Sequence, residues 1–145
     1  MAESLEKPET ILVVDDTSLL LHAVVAVLEK ANYSVLQANS GHQALEVAAN
    51  HPGHIDLLLS DVQMPLMSGP ELGEALLVTR PDIRLMFMSG FAGGSLLVLN
   101  YGWAFIEKPF VRAKLLEMIN VVLHSPNKSQ GSRQYDSRKD SGKTE

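Results

Sequence analysis

The chain has no cysteine among its 145 residues. That absence removes disulfides, thiolate zinc sites and cysteine nucleophiles from consideration. Long apolar runs are missing as well, since none approaches the roughly 18 residues that a membrane span requires. The opening MAESLEKPET is acidic where a secretory signal would be basic and then apolar. Together these absences read as an untargeted, cytoplasmic protein with no membrane partner. A phosphate-cradling loop is lacking too, because GFAGG at 90–94 does not end in Lys-Ser/Thr. Positive charge is scarce in the body of the chain: residues 1–124 hold 7 Lys/Arg against 14 Asp/Glu, whereas residues 125–145 hold 5 against 3. An acidic body argues against direct contact with nucleic acid.

What is present is enough for one domain with a hydrophobic core of its own. Short apolar runs alternate with longer amphipathic stretches, the pattern of βα units around a parallel sheet. Five runs stand out: Ile11–Val14, Ser34–Ala38, Ile55–Leu59, Ile83–Met88 and Ala104–Ile106. The first, third and fourth are continuously apolar, which predicts central strands covered on both faces. Helices are predicted from Thr17 or Ser18, from Ser40 and from Ser68-Gly69-Pro70, where proline suits a first helical turn. The stripe Leu20, Val24, Val27 and Leu28 is expected in the core. A last helix is expected over about 111–124. Between 90 and 103 only Ser95 to Tyr101 looks helical, after two glycines, which predicts a short fourth helix. From Ser125 onward almost nothing is apolar, so 125–145 is expected to be a disordered polar tail. The five histidines show no metal spacing and read as ordinary helix or loop residues.

The polar residues fall at the carboxyl ends of the predicted strands. Asp15 and Asp16 follow the first, Asp61 the third, Ser89 the fourth and Lys108 the fifth. In open parallel sheets that edge binds ligands. Taken singly these residues read as a helix cap, a turn serine and a surface lysine. Their joint placement points to a site, as does a lysine set among apolar neighbours in AFIEKPF. Converging carboxylates need a raised pKa or a cation, and an oxygen-only donor set favours a hard ion, best Mg²⁺.

Four stretches, ILVVDD, DLLLSDVQMPLMSGPEL, MFMSG and FIEKPF, resemble the response-regulator receiver family of two-component signalling, within the CheY-like superfamily. The resemblance covers about Thr10 to Leu123, which makes 10–124 the receiver unit and 1–9 an N-terminal extension. It implies an α/β, flavodoxin-like (βα)5 doubly wound parallel sheet with strand order 2-1-3-4-5. It implies that Asp61 is the phosphoacceptor nucleophile, receiving the group from a histidine kinase or phosphotransfer protein. Asp15, Asp16, Asp61 and the backbone carbonyl of Gln63 would hold Mg²⁺. Lys108 would pair with phosphoryl oxygens, and Ser89 would donate a hydrogen bond to them. Phe105 would be the aromatic switch, although the residue also reads as a half-buried strand aromatic that never moves. The peptide bond between Lys108 and Pro109 would be cis, which few X–Pro bonds are. The interval between Ser89 and Lys108 departs from the family, being short for its usual fourth helix.

Two other readings differ in class. A haloacid-dehalogenase-type Mg²⁺ phosphatase needs Asp-x-Asp after the first strand, where this chain has Asp15, Asp16 and Thr17. A degenerate receiver would bind partners without phosphorylation, but all five site positions carry competent residues. The receiver reading makes the chain a signalling domain rather than an enzyme, a monomer or weak dimer, with no output domain expected after Ser125. It could stand alone or be a segment of a hybrid histidine kinase.

Overall fold

The computed structural model describes residues 7–90 and 103–125. The segment expected to hold the short fourth helix, and the tail after Ser125, lie outside the described residues. Five strands, β1 (Thr10–Val14), β2 (Ser34–Ala38), β3 (Leu57–Asp61), β4 (Arg84–Ser89) and β5 (Ala104–Glu107), form one parallel sheet in the order β2-β1-β3-β4-β5. The helices are α1 (Ser18–Lys30), α2 (Gly41–Asn50), α3 (Gly69–Thr79) and, numbering described elements alone, α4 (Arg112–His124). The alternating pattern predicts the parallel sheet of βα units, and the strand order is the doubly wound, flavodoxin-like one that the resemblance implies.

Strand burial follows position in the sheet. The central strands β1, β3 and β4 are almost wholly buried, whereas β2 and β5 at the edges are partly exposed. Because side chains alternate along a strand, β1 feeds both faces. Leu12 and Val14 join Leu58, Phe87 and residues of α2 and α3, while Ile11 and Val13 join Leu57, Leu59 and residues of α1 and α4. Each such buried side chain contributes about 1.5–3 kcal/mol. Truncating one at the centre, such as Phe87→Ala, would cost roughly 3–5 kcal/mol.

Local chemistry sets the helix ends. Ser68 and Glu71 make a reciprocal capping box, with the Ser68 hydroxyl accepting from the Glu71 N–H at 3.2 Å and the Glu71 carboxylate accepting from the Ser68 N–H at 2.9 Å. Ser40 caps α2 by accepting from the Gln43 N–H at 3.0 Å, and the Gln43 side chain accepts from the Asn39 N–H rather than from Ser40. Thr17 stands at the N-cap of α1 without a side-chain bond. Asn32, at φ 74°, turns the chain out of α1 in the left-handed region that asparagine tolerates.

Three expectations need correction. The core stripe of α1 is Leu21, Val24, Val25 and Leu28, so Leu20 and Val27 sit at its margin, only partly buried. Helical spacing fits either pair, and the angle at which α1 meets the sheet selects between them. The third strand begins at Leu57, two residues late, because the Asp56 side chain accepts from the Thr10 N–H at 2.8 Å and ends the preceding loop there. Asp61 and Ser89 are the last residues of their strands rather than the first beyond them.

Candidate functional site

Since all strands run parallel, the ends of β1, β3, β4 and β5 open on one rim. Asp15 and Asp16 leave β1, Asp61 ends β3, Ser89 ends β4, and Lys108 leaves β5. Asp61 lies opposite Met88, one residue before Ser89, and Ser89 lies opposite Glu107, one residue before Lys108. Two backbone bonds carry the ladder past this edge: Val62 N–H to the Met88 carbonyl, and Lys108 N–H to the Ser89 carbonyl, both at 2.9 Å. The site residues are therefore held by backbone that stays hydrogen-bonded beyond the last strand residues.

Lys108 Nζ stands 3.3 Å from a carboxylate oxygen of Asp15 and 3.3 Å from one of Asp61. Asp15 is fully buried, and its other oxygen accepts from the Thr17 N–H at 2.9 Å, which fixes the carboxylate in place. Asp16 is exposed beside it. One oxygen from each of Asp15, Asp16 and Asp61 falls within 4.8 Å of the others. Three carboxylates against one ammonium leave the rim acidic. Asp61, with 13% of its side chain exposed, is pushed above the usual carboxylate range, first by burial and then by Asp15 and Asp16, while Lys108 pulls it back.

The other anticipated residues are placed as follows. Ser89 is buried at the end of β4. Gln63 is exposed in the loop two residues after Asp61. Phe105 is half-buried on β5 opposite Phe87, against the cluster that contains Trp103. The Lys108–Pro109 peptide is cis. None of the five histidines joins the acidic cluster.

Supports that the sequence reading passed over lie next to Asp61. The Ser60 hydroxyl donates to the Asp61 carbonyl at 2.8 Å, and Gly69 packs its bare Cα against the same carbonyl. Their signals, a serine inside LLLSD and a glycine before proline, read locally as strand and helix cap. The loop after Asp61 also places Leu66 in the left-handed region at φ 71°, with its side chain 92% exposed.

A parallel doubly wound sheet with a lysine-bridged acidic cluster at its carboxyl rim places the chain among α/β domains whose strand ends form an acidic site. The family profile described as the response regulator receiver domain matches residues 11–120, and the chain belongs to that family. It is 34% identical over 125 residues to the sensor kinase CckA of Brucella abortus, matching 84% of this chain but only 13% of that kinase. It is 37% identical over 86 residues to the response regulator receiver protein CpdR of the same organism, covering 59% of this chain and 70% of that protein. A solved CheY-like receiver domain from Methanospirillum hungatei superposes with a TM-score of 0.72 at 33% identity, covering 80% of this chain and 94% of that one. The chain is thus a receiver domain of the two-component type, a signalling domain rather than a conventional enzyme. No described helix is long and apolar enough to cross a membrane.

Proposed function

We propose that the domain is a phosphoacceptor: Asp61 takes a phosphoryl group from a phosphorylated histidine on a kinase or phosphotransfer protein, and the domain changes conformation in response. The observation that carries this reading is the Lys108 ammonium set between two carboxylates, 3.3 Å from each. On this reading a nucleophile and a cation would both be within reach of one phosphoryl group.

Asp15, Asp16 and Asp61, with the carbonyl of Gln63, would hold Mg²⁺. The donor set fits, being all oxygen, acidic and close enough for one hard ion. When bound, the ion supplies positive charge that offsets repulsion between an anionic nucleophile and an anionic phosphoryl group. The chain does the rest. A carboxylate oxygen of Asp61 forms a bond to phosphorus as the phosphorus–nitrogen bond of the donor imidazole breaks, and the imidazole leaves with the electron pair. Asp61 must be ionised to attack, and burial works against that, so Lys108 opposes the proton as well as orienting the phosphoryl oxygens. The Ser89 hydroxyl donates to the transferred group. Phe105, half-buried on the neighbouring strand, follows that movement as the switch. Self-phosphorylation and self-dephosphorylation are the only chemical steps proposed.

A protein donor is supported by the rim itself. Leu19 at the start of α1, Leu66 after β3 and Val111 before α4 are among the exposed large apolar side chains, and a partner bringing its histidine to Asp61 would cover them. The proposed unit spans 10–124 between an extension at 1–9 and a polar tail at 125–145. It acts in the cytoplasm as a monomer or weak dimer, and its output is contact with another protein.

The test is incubation with a small-molecule phosphodonor and Mg²⁺, followed by intact mass. Wild type should gain one phosphoryl group, and Asp61→Asn none. Rapid multiple turnover of the donor would indicate a phosphatase, and an unmodified wild type a binding module.

A further inference from the structure

At the pole opposite the acidic rim, the segment entering β1 meets the end of α4. His124 closes the last turn of that helix. Its Nδ1 is 2.9 Å from the carbonyl oxygen of Asn120, and its Nε2 is 3.1 Å from a carboxylate oxygen of Glu9. A carbonyl oxygen can only accept, and so can an ionised carboxylate. Both contacts are hydrogen bonds only when each ring nitrogen carries a proton. A neutral ring satisfies one and turns a lone pair toward the other. We propose that Glu9 and His124 form a proton-operated latch, closed while the ring is doubly protonated, that fastens the segment before β1 to the end of α4. The latch opens when the ring loses its second proton.

The surroundings bear on both states. Three successive carbonyls at the end of α4 receive side-chain donors: Asn120 from His124, Val121 from Ser125 and Val122 from Arg84. The carbonyls of a helix's last turn carry partial negative charge. Glu9 adds a full negative charge from the entering segment. Lys7, in the same recess of about 530 Å³, opposes it, as does the Arg84 guanidinium from β4. Tyr33, from the turn between α1 and β2, faces the recess as a neutral phenol, its pKa raised by burial and then by Glu9. Asn120 carries no charge. The latch reaches the sheet because the Glu9 carbonyl accepts from the Ser34 N–H at 2.9 Å, the first bond outside the β1–β2 ladder. It is independent of the phosphoacceptor reading.

The full ¹⁵N-labelled chain tests this. The His124 ring nitrogens are followed by long-range ¹H–¹⁵N correlation from about pH 5 to about pH 8, the range in which imidazoles titrate, together with the backbone amides of Lys7, Glu9 and Ser125. In wild type those amides should shift with the ring. Opening should speed exchange at the Ser34 amide, which donates to the Glu9 carbonyl, by about twofold to threefold, the scale of one exposed ion pair. Glu9→Gln and His124→Gln should remove the response. Glutamine at 124 keeps a donor, so the helix end survives. A ring protonated at Nδ1 alone throughout, a ring that titrates without moving residues 7–9, or variants that respond like wild type would each overturn the latch.

Discussion

A Cβ built on Gly69 would stand 2.2 Å from the carbonyl oxygen of Asp61, and Gly69 N–H donates to the Val62 carbonyl at 2.8 Å. The start of α3 is thus pressed onto the backbone of the candidate phosphoacceptor. A methyl group cannot enter without moving one or the other. Gly69→Ala should cost about 1–3 kcal/mol by urea unfolding, as overpacking does, and should slow phosphorylation at Asp61. A variant of wild-type stability that is phosphorylated at the wild-type rate would refute the close approach.

Asp61 has a pH signature of its own. Its folded pKa is raised, so between the unfolded value of about 3.9 and the raised value the folded state binds more protons than the unfolded one. Stability therefore falls as pH rises through that window, and an ionised Asp61 is destabilising above it. In EDTA, Asp61→Asn should be more stable than wild type at neutral pH, and the gap should close in acid. Urea titrations at the two pH values decide it. A wild type as stable as the variant at neutral pH would contradict the raised pKa.

Divalent ions should reverse that order. A ligand at a hundred times its dissociation constant stabilises the folded state by about 2.7 kcal/mol. Mg²⁺ should raise the melting temperature of wild type, and Asp16→Asn or Asp61→Asn should lose most of the increase. An equal response in all three proteins would place the ion elsewhere.

Lys108 faces a fully buried carboxylate on one side and a nearly buried one on the other. Lys108→Ala leaves both without their cation, a loss of roughly 3 kcal/mol. Mg²⁺ should restore part of this by supplying charge to the same oxygens. Unfolding midpoints with and without Mg²⁺ measure the rescue, and a loss below 1 kcal/mol would show the pair to be marginal.

Arg80 lies far from the acidic rim and should behave as a structural clamp. Its guanidinium donates to the carbonyls of Ala48, His51 and Gly53, at 2.8, 3.0 and 2.9 Å, which ties the end of α2 to the end of α3. Arg80→Ala should lose about 1–3 kcal/mol and expose the amides at the end of α2 to exchange, with phosphorylation unchanged. A phosphorylation defect would reveal coupling between this clamp and the site.

The strands themselves and the acidic rim were legible because their signals are local, whereas the order β2-β1-β3-β4-β5 was implied only by the family resemblance. Continuous apolar runs mark buried strands, and the first polar residues within two positions of such a run's end fall at the sheet's edge. Asp15, Asp61, Ser89 and Lys108 could be placed that way before any fold was seen. Helix starts were legible at Ser40 and Ser68 for the same reason. The hidden features depend on distance through space. Leu20 and Leu21 differ by 100° around a helix, and only the docking angle of α1 shows which one is covered. Gly69 reads as a cap until the Asp61 carbonyl appears beside it. Glu9 and His124 lie 115 residues apart in the sequence, and nothing near either names the other.

Glu9 and His124 also bring the way in and the way out of the fold to one point, at the end of the sheet remote from Asp61. A unit of that shape can be spliced into a longer polypeptide as a cassette, because both junctions leave from the back. Sequence added before or after it need not cross the acidic rim. The same body can therefore serve chains of very different length without rebuilding its chemistry.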